Sequence, residues 1–258
     1  MKATQATVTL VGAGPGDPEL LTLKAVRALQ QATVVLVDDL VHPDVLCHVS
    51  AQARIVHVGK RGGCQSTPQA FIEKLMVQEA KAGEQVVRLK GGDPLVFGRG
   101  GEECAYLQAH GIDVKVVNGI TAGMAAAIDL GVALTHRAHA HGVVMVTGHS
   151  TDKGMLPPVD WHTLAHSAHT CHLTLVIYMG IQNISQIQHG LLMGLPPQTP
   201  VAIVENASQP QSRRVDGELG ELPSLLTRSG LASPANISVG DVLRAMAHMA
   251  LPNQTKQA

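Results

Sequence analysis

Short apolar, β-branched runs alternate with helix-period segments along nearly the whole chain, and this alternation constrains the fold more than any other feature. TVTLVG (7–12), TVVLVD (33–38), RIVHV (54–58), QVVRLK (85–90) and DVKVV (113–117) read as strands. Between them lie segments with apolar residues on one helical face: Pro18 to Gln31, with Asp17 placed to cap it, Pro68 to Ala82, and Gly101 to His110. The pattern restarts after NGITAG (118–123). A helix from Ala122 to Leu130 precedes strand GVVMVTG (142–148), a helix near 160–169, strand LTLVIYMG (173–180) and a helix from Asn183 to Met193. Strand PVAIVEN (200–206), a polar run to Gly217, a short helix, strand NISVG (236–240) and a terminal helix complete it. Strands joined through helices predict an α/β protein of two lobes, 1–120 and 121–258, each a mainly parallel sheet flanked by helices.

At 258 residues, with 45% hydrophobic and 15% charged residues, the chain can bury a substantial core. A formal charge of −1 argues against a dedicated nucleic-acid surface. Yet Lys60, Arg61, Lys74, Lys81, Arg88, Lys90 and Arg99 concentrate seven of nineteen basic residues in forty positions, which suits an anionic small molecule. Cys47, Cys64, Cys104 and Cys171 form no CxxC. No signal peptide or membrane-length apolar run is present, so a cytoplasmic enzyme is expected. Fourteen histidines include His136, His139 and His141, and His162, His166 and His169 at helical spacing. Neither group carries the cysteine or carboxylate partners of a recognisable metal template, and no metal is expected.

Two glycine-rich turns follow strands. VGAGPGD (11–17) offers Gly12 and Gly14 of a dinucleotide fingerprint, with Asp38 in the place of its ribose acid. The third glycine is absent, since position 17 is Asp, and Pro15 removes an amide that a pyrophosphate would use. A nicotinamide-dependent oxidoreductase is therefore the weaker reading, and a tight turn without a ligand remains open. KGGDP (90–94) lies where parallel sheets bind ligands. Its two glycines admit a ligand to the backbone, and an ionised Asp93 suits hydroxyls or a cation while repelling phosphate. A plain strand-to-helix turn would look the same at this one motif.

Taken in order, VGAGPGDPELLTLKA, VDDLV, VGKRGG (58–63), VVRLKGGDPLVFGRGGEE (86–103), NGITAG, ALTHR (133–137), YMG (178–180) and VENAS (204–208) resemble the tetrapyrrole methylases over roughly residues 7 to 245. The resemblance implies a homodimer of two-lobed subunits that binds S-adenosylmethionine between lobes and releases S-adenosylhomocysteine. It assigns cofactor contacts to Pro15, Gly91, Gly92, Asp93, Val96, Thr121, Ala122, Met179 and Ala207, and a proton acceptor and donor to Asp38 and Lys60. An equally open reading has Asp38 binding pyrrole N–H groups and Lys60 pairing with a substrate carboxylate. The substrate implied is uroporphyrinogen III, methylated at C2 and C7 to precorrin-2 on the sirohaem and cobalamin branch. A methylase of a later precorrin is the near alternative, and a non-catalytic ligand-binding protein of the same fold the distant one. Arg61, Arg88, Lys90, Arg99 and Arg137 are candidates for the eight substrate carboxylates. The dehydrogenase and chelatase module that precedes this one in some relatives is not expected, since the first strand begins at residue 7.

Overall fold

A computed structural model describes residues 6–59, 67–149 and 157–248. It divides into two compact units, Met1–Ala122 and Gly123–Ala258. The first unit carries β1 (Thr7–Gly12), α1 (Leu23–Gln31), β2 (Val34–Val37), β3 (Arg54–His57), α2 (Gln69–Lys81), β4 (Val86–Lys90), α3 (Gly100–Ala109) and β5 (Asp113–Val117). Its five strands run parallel in the order β3-β2-β4-β1-β5.

Pleat parity sorts this sheet into two faces. Val8, Leu10, Val34, Leu36 and Val86 pack against Ile72, Met76 and Ala80 of α2 and Leu107 of α3. Val11, Val35, Val37, Val87 and Leu89 pack against Ala25 and Leu29 of α1 and Val45 of a short 3-10 helix, Pro43–His48. Both faces are covered at the centre of the sheet, so β2 is apolar along its length, whereas the edge strands β3 and β5 keep exposed positions.

The helix expected from Pro18 is broken. Asp17 does cap a turn, accepting the Glu19 N–H at 2.8 Å, but that turn is a 3-10 helix ending at Leu20. Leu21 and Thr22 are extended, and the Thr22 hydroxyl accepts the Ala25 N–H at 3.1 Å to start α1 afresh.

The second unit carries α4 from the chain's unit boundary (Ala122–Leu130), β6 (Gly142–Thr147), α5 (Trp161–Thr170), β7 (Leu173–Tyr178), α6 (Ile184–Leu192), β8 (Pro200–Glu205), β9 (Arg213–Glu218), α7 (Leu222–Ser229) and β10 (Ala235–Val239). A 3-10 helix, Asp241–His248, follows. The sheet order is β6-β7-β10-β8-β9. Here the expectation of a mainly parallel sheet is corrected: only β6 and β7 pair in parallel, and β7–β10, β10–β8 and β8–β9 are antiparallel.

The cause is β9, which lies inside the run read from sequence as polar connection. Only residues 206–212 link β8 to β9, too few for a parallel crossover, so the chain turns back as a hairpin. The crossover through α7 then sets β10 in the direction of β9, and both run against β8. RRVDGE escapes the strand pattern because it is a half-solvated edge strand, with Arg213, Arg214 and Asp216 exposed.

One face of this sheet (Leu175, Ile177, Val201, Ile203, Ile237 and Val239) packs against α5, α6 and α7. Leu191 of α6 is fully buried there. Leu191→Ala is expected to lower the unfolding free energy by about 2–5 kcal/mol in urea denaturation; a loss below about 1 kcal/mol would contradict this placement of α6.

Candidate functional site

Three loops at the carboxyl ends of β1, β4 and β5 meet through their backbones. Gly14 and Gly92 exchange hydrogen bonds, Gly92 N–H to Gly14 O at 2.7 Å and Gly14 N–H to Gly92 O at 3.2 Å, and Ala13 donates to Lys90 O at 2.7 Å. A Cβ on Gly12 would lie 2.5 Å from Gly119 N and 2.7 Å from Gly92 O. One on Gly119 would lie 2.9 Å from Gly12 Cα and closer still to Gly92 O. Gly14 and Gly92 have φ of 73° and 66°, a region that suits glycine. Glycine at 12 and 119 is thus required by close approach, and glycine at 14 and 92 is favoured by positive φ.

Asp93, buried behind this junction, uses its carboxylate to hold it. Oδ1 accepts the Leu95 N–H at 2.8 Å, and Oδ2 accepts the Gly119 N–H at 3.1 Å and the Asn118 Nδ2–H at 3.4 Å. Val96 N–H in turn reaches Asp93 O at 3.3 Å. The backbone beside Gly92 lies against Thr121 and Ala122, where a Cβ on Gly92 would come within 3.8 Å of Thr121 Cα. Seven residues proposed from sequence, Pro15, Gly91, Gly92, Asp93, Val96, Thr121 and Ala122, therefore sit in or beside these three loops of one unit. The carboxyl ends of parallel strands are where ligands of α/β sheets bind.

Met179 and Ala207 belong to the other unit. Each follows its strand at the same sheet end, because Tyr178 of β7 and Val204 of β8 both pair with Asn236 of β10. Met179 is half exposed with φ of 54°, and Ala207 is buried between Asn206 and Ser208 with φ of 50° and 65°. Asp129 of α4, not anticipated from sequence, fastens that loop. Its Oδ2 accepts the Ser208 N–H at 2.8 Å and the Ser212 hydroxyl at 2.6 Å, while Arg214 donates to its carbonyl oxygen.

Asp38 follows β2, and its N–H donates to Leu89 O at 3.0 Å. Its parity, shared with Val34 and Leu36, turns it to the α2/α3 face, where β4 presents Arg88 and Lys90. Arg88 is 2% exposed; its Nη2 donates to Asp38 Oδ2 at 3.2 Å, its Nε to Glu103 Oε1 at 3.2 Å, and its Nη1 to the carbonyls of Leu36 and Leu89 at 3.4 Å. Lys90 Nζ lies 3.1 Å from both Glu103 oxygens, and Gln69 Nε2 donates to Oε1 at 3.1 Å. Burial pushes the Lys90 ammonium below the ordinary lysine range, helped by the neighbouring Arg88 charge and opposed by Glu103 and Asp38.

Arg88 and Lys90, candidates for substrate carboxylates, are buried and bound to Glu103. Arg99 and Arg137 are exposed, and Arg99 forms a 2.6 Å pair with Glu102 that raises its own pKa and lowers that of the glutamate. Lys60 and Arg61 lie outside the described residues. Gly59, the residue before them, packs closely on Asp39, next to Asp38. Among the described residues, no three His, Cys, Asp or Glu side chains gather to hold a metal ion.

The chain belongs to the tetrapyrrole (corrin/porphyrin) methylases, whose family pattern it matches over residues 7–223. It is 54% identical to the uroporphyrinogen-III C-methyltransferase of Pseudomonas aeruginosa over 92% of this chain and 94% of that one. The crystal structure of uroporphyrin-III C-methyl transferase from Thermus thermophilus complexed with S-adenyl homocysteine superposes with a TM-score of 0.77 at 42% identity, covering 93% of this chain and 99% of that one. The cobalt precorrin-4 methyltransferase of cobalamin biosynthesis shares the fold at TM-score 0.79 but only 28% identity, over 92% and 96% of the two chains.

The glycine junction makes a direct prediction. Gly119→Ala should lower the unfolding free energy by about 1–3 kcal/mol or more through backbone overpacking. Gly101→Ala, in open space within α3, should instead raise it by up to about 1 kcal/mol. Parallel urea titrations check the pair, and equal effects would contradict the junction.

Proposed function

We propose that this chain is an S-adenosylmethionine-dependent methyltransferase that methylates uroporphyrinogen III at C2 and C7, giving precorrin-2 and S-adenosylhomocysteine. The observation that carries this reading is 54% identity, over nine-tenths of both chains, to an enzyme named for that substrate. The lower identity to the precorrin-4 enzyme sets the later-precorrin alternative behind it.

The residues fit the cofactor. Its sulfonium and ribose bring no phosphate, so a site of close-packed glycine backbone needs no anion cradle and tolerates Pro15 in the first turn. By the family resemblance, Gly91, Gly92, Asp93, Val96, Thr121, Ala122, Met179 and Ala207 would hold it. Asp93 contributes shape: its oxygens are engaged by Leu95, Asn118 and Gly119, so the ligand is offered backbone. When bound, S-adenosylmethionine supplies an already activated methyl group, which leaves the protein to align the pyrrole carbon and exclude water.

Asp38 is about one-third exposed, enough to reach a bound tetrapyrrole while Arg88 fixes one of its oxygens. It accepts the pyrrole N–H, by hydrogen bond or by taking the proton released after methyl transfer, and Lys60 acts as its cationic counterpart. Arg99 and Arg137, with Arg61, take the substrate carboxylates, since Arg88 and Lys90 are committed elsewhere.

The enzyme works as a homodimer in the cytoplasm, a reading supported by the family resemblance and by the free thiols of Cys47, Cys104 and Cys171. No helix among the described residues is long and apolar enough to cross a membrane. The test is anaerobic incubation with labelled S-adenosylmethionine and enzymatically generated uroporphyrinogen III. Two methyl groups per product are expected; a chain that transfers none refutes the proposal.

A further inference from the structure

Glu103 is fully buried, is the second residue of the Glu102–Glu103 pair at the start of α3, and reaches Asp38 only through a shared partner. A carboxylate in such a place is costly unless it is compensated. Glu103 Oε1 accepts from Arg88 Nε at 3.2 Å, Lys90 Nζ at 3.1 Å and Gln69 Nε2 at 3.1 Å, while the buried Oε2 has the Lys90 ion pair at 3.1 Å and no hydrogen bond. The first of these matters most for the site. Arg88 bridges outward, with its Nε on Glu103 and its Nη2 on Asp38 Oδ2 at 3.2 Å. The guanidinium is planar and rigid, so fixing one edge of the fork fixes the other.

We infer that Glu103 is the positioning residue for Asp38, acting through Arg88. The inference rests on the proposed role of Asp38 at the substrate. Two buried cations, Arg88 and Lys90, point to the same sheet face as Asp38. With Glu103 present, the four groups balance in charge, two carboxylates against two cations. Remove the Glu103 charge and Asp38 becomes the sole anion facing both cations. Without its partner on Nε the Arg88 guanidinium is less firmly held, and Asp38 leaves the partly exposed position in which it can meet a pyrrole N–H. Glu103 is placed to prevent this because it sits at the N-terminal turn of α3, where the helix dipole favours an anion, while Gln69 at the start of α2 fills a further acceptor site on Oε1.

Two variants address the role. Glu103→Gln keeps the shape and removes the charge. The double variant Glu103→Leu with Lys90→Met removes one anion and one cation, so the buried charge still balances and apolar groups of similar size occupy the space. Both are expected to keep the KM for S-adenosylmethionine within about threefold of the parent, and to lower kcat by about ten- to a hundredfold as Asp38 loses its alignment. The decisive readout is the cycle with Asp38→Asn: once Asp38 is altered, adding Glu103→Gln should cost nothing further in kcat.

A folded double variant with parental kcat would overturn the inference, as would losses from Asp38→Asn and Glu103→Gln that multiply. Failure of the underlying reading looks different. Asp38→Asn with undiminished transfer of two methyl groups would remove Asp38 from the chemistry, and Glu103 with it. If Glu103→Gln does not fold, the charge-balanced variant alone, with and without Asp38→Asn, supplies the same comparison.

Discussion

The site depends on backbone touching backbone at the carboxyl end of the first sheet. Gly12 at the end of β1 and Gly92 and Gly119 in the loops after β4 and β5 meet backbone to backbone, and no Cβ fits on Gly12 or Gly119. Because the loops lock together in this way, the Gly91–Asp93 and Thr121–Ala122 backbones are presented as one surface. Asp93 reinforces it by spending its carboxylate on Leu95, Asn118 and Gly119. Its place in the site is therefore architectural, and the positive φ of Gly14 and Gly92 follows from the turns that bring the loops together.

Beside this junction, a second constraint is electrostatic. Pleat parity sends Asp38, Arg88 and Lys90 to one face, and α3 answers with Glu103. Four charged groups replace what would otherwise be the last apolar layer of that face. A buried pair of this kind contributes little net stability compared with an apolar layer. Its use is directional: it holds a partly exposed carboxylate in one orientation at the edge of the ligand-binding end.

Much of this was legible in the sequence, because buried parallel strands are written as short β-branched runs ending in glycine. Every strand of the first unit falls within its expected segment. The second unit shows where such reading fails. A polar edge strand, Arg213–Glu218, has no apolar run to announce it, and one unrecognised hairpin reverses the direction of everything that follows. The break at Leu21–Thr22 is hidden in the sequence because Pro18 and Asp17 are good start signals, and the competing Thr22 cap is a single hydroxyl. Arg88 and Lys90 drew attention as cations, but a one-dimensional pattern does not show that α3 returns Glu103 to them. The alternation of Val86, Arg88 and Lys90 along β4 was the available signal, since a charge at a core-facing position demands a buried partner. Asp129 left no such trace: its partners, Ser208, Ser212 and Arg214, lie some eighty residues away.

The central claim is that the three locked loops of the first unit form the cofactor surface. A crystal structure of the protein with S-adenosylhomocysteine measures this directly. The ligand is predicted to lie against the backbone of Gly91–Asp93 and Thr121–Ala122, with the Asp93 carboxylate still on the Leu95 and Gly119 amides. A ligand bound elsewhere, leaving those two backbone segments uncovered, would contradict it.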